Sequence, residues 1–579
     1  MYDPTPSTPL PEGVTIALDG AAWHLLRKAS AGPAAPVIVI DTYPGADVDA
    51  LCEAARSALA AEVVDVEGAA LPAESRASRF ADTLTDDRVF GVMSRARVAD
   101  FYDPDRVREL RDRVSNRSGA LVLIGWGAAE VWDDPDVLVV GDLARWEIQQ
   151  RYRRGMPNWK ADNAAEDPLR KVKRGYFLEW RAADRHKAAL LPRADFVMDL
   201  NDPARVALLP GVAVRDALAG IARRPFRLVP YFDPGVWGGQ WMNRTLALNR
   251  PETNLAWSFD GVPEENSLLL SDGDSLFQLP AMDLTMLHPR ELLGELTYAR
   301  FGAEFPIRFD FLDTMGGGNL SLQVHPVTEY IRDRFGMAYT QDESYYILDA
   351  GDDAVVYLGL KTGVDPDAMA RDLRAAERGD FPFPAESYIN SFPARRHDHF
   401  SSPAGTVHCS GANSMVLEIS ATPYIFTFKM WDWDRVGLDG MPRPIHLDHA
   451  LANIQWDRDT EWVERNLVVP PVPLGGGEDW RAERTGLHEF EFLEVRRHWF
   501  TGTVEHHTEG TVNMLNLVAG REVIVESPSG AFPPFVVHYA ETFIVPAAVG
   551  PYRIRPHGEG VGLEHATVTA SVRGTQRTA

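Results

Sequence analysis

Cysteine is nearly absent: Cys52 and Cys409 are the only two among 579 residues, far apart in sequence. That excludes a disulfide framework and points to a reducing compartment, so a cytoplasmic protein is expected. A run of about 18 apolar residues is also missing, which excludes a membrane-spanning helix of ordinary length. Residues 1–13 are polar and proline-rich rather than charged and then apolar, unlike a signal peptide. Positive charge is short as well: 58 Lys and Arg against 83 Asp and Glu leave a net charge of −25. Such a surface repels phosphodiester backbones and anionic lipid, so neither a nucleic acid nor a membrane is an expected partner. Apolar residues make up 45% of the chain, enough for several packed cores, and a disordered chain is excluded.

Residues 1 to about 220 alternate short apolar runs with helical stretches. Val37–Ile40 is followed by a helix from Val48, with Leu51, Ala55 and Leu59 on one face. Ala120–Ile124 and Val137–Val140 are further continuous apolar runs, the pattern of buried parallel strands in an α/β layer. From about 225 the habit changes to strands separated by Gly and Pro, which predicts a β-barrel or sandwich. One helical interruption is expected inside it, opened by Asp365 as N-cap and Pro366 at the first helical position. The proline- and glycine-rich stretch 468–477 is expected to be a linker, followed by a second, smaller β unit. The expected fold class is α/β plus all-β, with domains at 1–222, 223–470 (helical insertion near 364–390) and 471–579.

Four residues in the first β region stand out. Gln323 and His325 are two apart in one strand and share its face, Glu343 begins another strand, and His408 sits in a third. Polar side chains inside a barrel need partners. Two imidazoles, a carboxylate and an amide oxygen can all be satisfied by one divalent metal: zinc, iron, manganese or nickel. A set of separate hydrogen-bonded core residues is the competing reading. The pairs His397/His399, His446/His449 and His506/His507 have weaker claims as ligands.

The segments Ser321–Pro326, Glu343–Leu348 and Pro403–His408 resemble the metal motifs of class I mannose-6-phosphate isomerases, which are zinc enzymes on a cupin barrel. Val236–Gly239, Phe305–Ile307, Phe311–Asp313, Val416–Ile419, Trp431–Arg435 and Phe543–Ala547 resemble that family in the same order, over roughly residues 225 to 560. The resemblance implies two cupin-like units, a zinc ion on Gln323, His325, Glu343 and His408, and a small sugar phosphate as substrate. It also implies Glu418 as a proton-transferring base and Lys429 as a second catalytic group, with Trp237, in the Trp-Gly-Gly turn, as a substrate-binding candidate; Arg308 and Arg435 are substrate-binding candidates as replacement charge, as are Lys429 and Arg443. Asp310 and Gln341 stand where many members carry Lys, and Lys429 where bacterial members carry Arg. These departures bear on phosphate binding, which needs donors and positive charge. The alternatives are an isomerase of a non-phosphorylated sugar, a sugar- or nucleotide-sensing regulator, and an iron-dependent cupin oxygenase.

The N-terminal region resembles a nucleoside- or nucleotide-kinase P-loop fold without its phosphate loop. Asp41–Asp47 stands where Gly-x-x-x-x-Gly-Lys-Ser/Thr is needed, so no nucleotide cofactor is expected. The basic stretch from Arg151 to Lys187 reads either as an anion-binding lid or as a solvated helical face.

Overall fold

The computed structural model describes residues 1–421, 424, 426–486, 488 and 491–574. The chain divides into two compact units. One comprises Ser7–Ile221 with Ser267–His288; the other comprises Met1–Pro6, Ala222–Asn266 and Pro289–Ala579.

The first unit is built on a seven-stranded sheet. Its strands run Glu62–Asp65, Leu121–Gly125, Val37–Thr42, Val137–Asp142 and Phe196–Asp199 in spatial order, all parallel, followed by antiparallel Ala207–Pro210 and Ala17–Leu18. The central strands are buried along their whole length, which is why their sequences are unbroken apolar runs. Helix Val48–Ala58 is capped by Asp47, whose carboxylate accepts from Ala50 N at 3.0 Å. It packs Leu51, Cys52 and Ala55 against Ile38, Ile40 and Val122.

Met1–Pro6 and Ser267–His288 cross the boundary expected at 222, because the forces holding them are not local. Strand Ser267–Ser271 pairs in parallel with Ser7–Pro9 and antiparallel with Leu276–Pro280. Behind it, Asp283 reaches the Lys187 ammonium at 2.8 Å, and Lys187 also holds Asp142 at 2.7 Å. In the other unit Tyr2 donates to Asp260 at 2.5 Å. Arg227, over the Tyr2 ring, pairs with Glu541 at 2.7 Å.

The second unit is antiparallel β structure. A six-stranded sheet runs His399–Ser402, Asp342–Ala350, Ser414–Ala421, Arg308–Asp313, Trp257–Gly261 and Tyr231–Asp233. A five-stranded sheet runs Ile389–Pro393, Val355–Leu360, His408–Ser410, Leu322–Val324 and Phe428–Trp431. Helices Pro366–Glu377 and Ala385–Tyr388 interrupt it; Asp365 caps the first by accepting from Asp367 N at 3.0 Å. Two more antiparallel sheets, of six and four strands, fill residues 472–572 around a core that includes Phe500, Leu515, Val525, Phe543 and Ile554. Part of the expected linker is an edge strand: Val472–Gly476 pairs with Trp480–Arg484. Its residues are all exposed, so backbone pairing rather than burial holds it, and Pro is tolerated at such an edge.

Candidate metal centre

Strand period and register place the candidate residues. On the five-stranded sheet Gln323 lies across from His408 on one side and Lys429 on the other. Directly opposed residues share a face, so the three point the same way. His325, two residues beyond Gln323, follows the same alternation. On the six-stranded sheet Glu343 lies opposite Ser402 and Ser420, and Ser420 lies opposite Arg308. One step along, Tyr345, Glu418 and Asp310 form a parallel row on that face.

The two faces meet. His325 Nε2 is 2.8 Å from Glu343 Oε2, and His408 Nε2 is 3.1 Å from Glu343 Oε1. Gln323 Nε2 is 3.3 Å from His408 Nε2. One ligating atom from each of His325, Glu343 and His408 lies within 4.8 Å of the others, and all three side chains are buried.

The outer nitrogens decide what the inner ones can do. His325 Nδ1 pairs with Phe426 O at 2.8 Å and His408 Nδ1 with Thr406 O at 2.9 Å. A carbonyl only accepts, so each Nδ1 carries its proton, and a neutral ring then turns a bare Nε2 inward. Without a cation a proton on Nε2 satisfies the contact with Glu343; once that proton leaves, the Nε2 lone pairs and the carboxylate converge as donors for a cation. Backbone-oriented imidazoles of this kind are the usual outer support of a metal ligand. The donor set therefore fits a divalent cation, and rotation of the Gln323 amide adds its oxygen as a fourth donor. Gln341 completes the support: it donates to Glu343 Oε2 at 2.9 Å and accepts from Phe426 N at 2.9 Å.

The electrostatics match that geometry. Burial works against charge on His325, but the Glu343 carboxylate outweighs it and raises the imidazole pKa. Burial likewise opposes ionisation of Glu343, yet His325 and His408 hold its pKa well below the carboxylate range. Glu418 goes the other way: burial, then Asp310 and Glu343, push it well above the usual value. Burial lifts Asp310 to about 6 against the pull of Arg308. Cys409 is wholly buried and burial raises its thiol pKa, so it packs as an inert side chain.

The other candidates fall at varied places. Arg308 is buried on the six-stranded face, its Nε donating to Asp310 at 3.2 Å, while its Nη1 and Nη2 form no hydrogen bond. Ser402 Oγ, opposite Glu343, is also buried and unpartnered. Lys429 is half-buried beside Gln323. Trp237 is fully buried edge-on against Trp257, 4.6 Å between centroids. The Arg435 guanidinium is held by Asp432, at 2.6 Å from Oδ1, and Arg443 is paired to the same carboxylate. Sequence reasoning treated Asp310 only as a lost positive charge. Its parity with Arg308 and its register opposite Glu418 put it on the site face instead.

In the N-terminal unit, the acid at the end of the central strand is structural. Asp41 accepts from Ala129 N at 2.8 Å and holds His186 at 2.9 Å. The basic stretch is neither a lid nor a solvated face at its main positions. Lys171 is buried, donating to the carbonyls of Tyr152, Met156 and Ala164, and Arg151 donates to those of Gly45, Leu200 and Asn201.

Residues 21–223 match a family model described as a domain of unknown function (DUF8485). The chain also has curated relatives. Over 232 residues the chain is 25% identical to mannose-6-phosphate isomerase ManA of Bacillus subtilis, covering 40% of this chain and 68% of the relative. Over 288 residues it is 24% identical to the mannose-6-phosphate isomerase of Streptococcus mutans, covering 49% of this chain and 82% of the relative. Among solved structures, mannose 6-phosphate isomerase from Bacillus subtilis aligns with a TM-score of 0.49 at 17% identity, over 60% of this chain and 99% of the other. The curated relatives support an enzyme of the mannose-6-phosphate isomerase type. Among the described residues no helix is long and apolar enough to cross a membrane.

Proposed function

We propose that the chain is a metal-dependent aldose–ketose isomerase of the class I, cupin type, interconverting mannose 6-phosphate and fructose 6-phosphate. The observation that carries this reading is the convergence of His325, Glu343 and His408, with Glu418 on the same face one row from Glu343. Gln323, His325, Glu343 and His408 are the residues that hold the cation, taken here as zinc; iron and manganese suit the same donors. When bound, the cation supplies Lewis-acid polarisation of the sugar's carbonyl and hydroxyl oxygens. The chain's own residues do the rest. Glu418 is the proton-transfer carboxyl of an enediol route, in which a proton moves between neighbouring carbons. Gln341 and the two carbonyl-anchored imidazoles fix the geometry. The unsatisfied Nη atoms of Arg308 and the Ser402 hydroxyl suit a hydroxyl-rich ligand, because buried donors left unmade cost about 1–3 kcal/mol each. Lys429, beside Gln323, is the cation assigned to the substrate's anionic end.

One observation favours a second reading, a sugar without the phosphate. Arg308, Arg435 and Arg443 are each engaged by a carboxylate. For the N-terminal unit, the order of its parallel strands supports a kinase-like ancestry, with Asp41 and His186 occupied in holding the fold.

The test is turnover by the purified, metal-loaded chain. Interconversion of mannose 6-phosphate and fructose 6-phosphate, abolished by chelation and restored by zinc, is expected. Faster turnover of free mannose shifts the reading to the second substrate. No turnover of either sugar overturns the isomerase.

A further inference from the structure

Moving a proton between neighbouring carbons and their oxygens takes one group that accepts a proton and one that gives it, and Glu418 is a single carboxyl. Asp310 is directly opposite Glu418 on the neighbouring antiparallel strand, on the face that bears Glu343. Side chains so opposed have Cβ atoms about 4.5–5.5 Å apart, within reach for two carboxyl groups to share one proton. Both are buried, and Arg308 Nε donates to Asp310 Oδ1 at 3.2 Å. Arg308 is in turn stacked over Phe259, the residue opposite Asp310 on the far side. An anchored guanidinium keeps one member of the pair anionic. The charged and titratable groups facing Asp310 are Arg308, Glu265, Glu343 and Glu418, with Tyr345 beyond Glu418.

Resting on the isomerase reading, we propose that Asp310 and Glu418 are the base and the acid of the proton transfer, working as a pair that carries one proton throughout. In the aldose-to-ketose direction the Asp310 carboxylate takes the proton from C2. The C2–H electron pair becomes the C1=C2 bond, and the carbonyl electrons on O1 receive the Glu418 proton. That gives the enediol, with Asp310 protonated and Glu418 ionised. Glu418 then removes the O2 proton, C2=O2 forms, and the C1=C2 pair takes the proton from Asp310 at C1. Both carboxyl groups return to their starting states with no outside donor. The pair holds one negative charge at each stage, so Arg308 has the same counter-charge from start to finish. In a buried site that constancy avoids the cost of creating a second anion.

The experiment is steady-state kinetics on the metal-loaded full chain with mannose 6-phosphate, for the parent, Asp310→Asn and Asp310→Glu, with bound metal per chain measured for each. General-base loss predicts that D310N lowers kcat by about 100-fold or more with KM within about threefold, while D310E recovers about tenfold or more over D310N. A D310N kcat within threefold of the parent overturns the pair and leaves the isomerase standing. An inactive parent overturns the isomerase and the pair with it. Should D310N lose its metal, D310E decides: activity no higher than that of D310N overturns the proposal.

Discussion

The Lys187 cluster allows a worked prediction. Its ammonium sits 2.7 Å from Asp142 and 2.8 Å from Asp283, with all three side chains buried. Burial, then Asp142, push Asp283 well above the carboxylate range despite Lys187. The Lys187 ammonium is thus a counter-charge shared by two buried carboxyl groups. Lys187→Met leaves the two buried carboxyl groups without their counter-charge. Removing one partner of such a pair costs about 3–5 kcal/mol. The variant chain lowers that cost by holding a proton on this carboxyl pair more tightly than the unfolded chain does, the direction burial already sets for Asp283. The sign follows: the proton is bound more tightly in the folded state, so the variant regains stability as pH falls and loses it as pH rises. The assay is amide hydrogen exchange in strand Val137–Asp142 and helix Met282–Leu287, for the parent and K187M, at pH 5 and pH 8. Opening free energies about 3 kcal/mol lower at pH 8, with a smaller gap at pH 5, are expected. A loss below about 1 kcal/mol at both pH values refutes the reasoning, since exposed pairs are worth no more than that. A gap larger at pH 5 reverses the sign and refutes it as well.

Other predictions follow from the same physics. Burial raises Glu67 to about 7 against a usual 4.5. Its proton is therefore bound more tightly in the folded state, and the first unit loses stability as pH rises from 4.5 to 7. That difference amounts to about 3 kcal/mol, so Glu67→Gln removes the slope and stabilises the fold at pH 8, read as denaturation midpoints across that range. Tyr2→Phe deletes the hydroxyl that donates to Asp260, and exchange in strand Trp257–Gly261 is expected to rise by about 1–3 kcal/mol of opening free energy.

The convergence of the site was legible because its residues sit on strands. A period of two fixes which side chains share a face, so Gln323 with His325, and Glu343 with Tyr345, were placed without coordinates. Likewise the helix at Pro366 announced itself through Asp365, a signal one residue long. What escaped reading depended on pairing between distant segments. Nothing near Ser267 says that its strand joins Ser7–Pro9, and nothing near Asp283 says that Lys187 awaits it. Asp310 shows the same dependence: its register opposite Glu418, about a hundred residues away, is not visible in its own neighbours. The strand at Val472–Gly476 was hidden because Pro and Gly carry a linker's composition, while the sheet edge needs only backbone groups.

The most direct test of the account is metal stoichiometry by elemental analysis, on the chain purified without added metal and on Glu343→Gln. The carboxylate lies between both imidazoles, 2.8 and 3.1 Å from their inner nitrogens. One divalent metal per parent chain, with affinity in E343Q lowered by about 100-fold or more, is the expected result. A parent chain that binds no divalent metal at micromolar concentration, or an E343Q variant that binds it equally well, contradicts the claim that these donors meet around a cation.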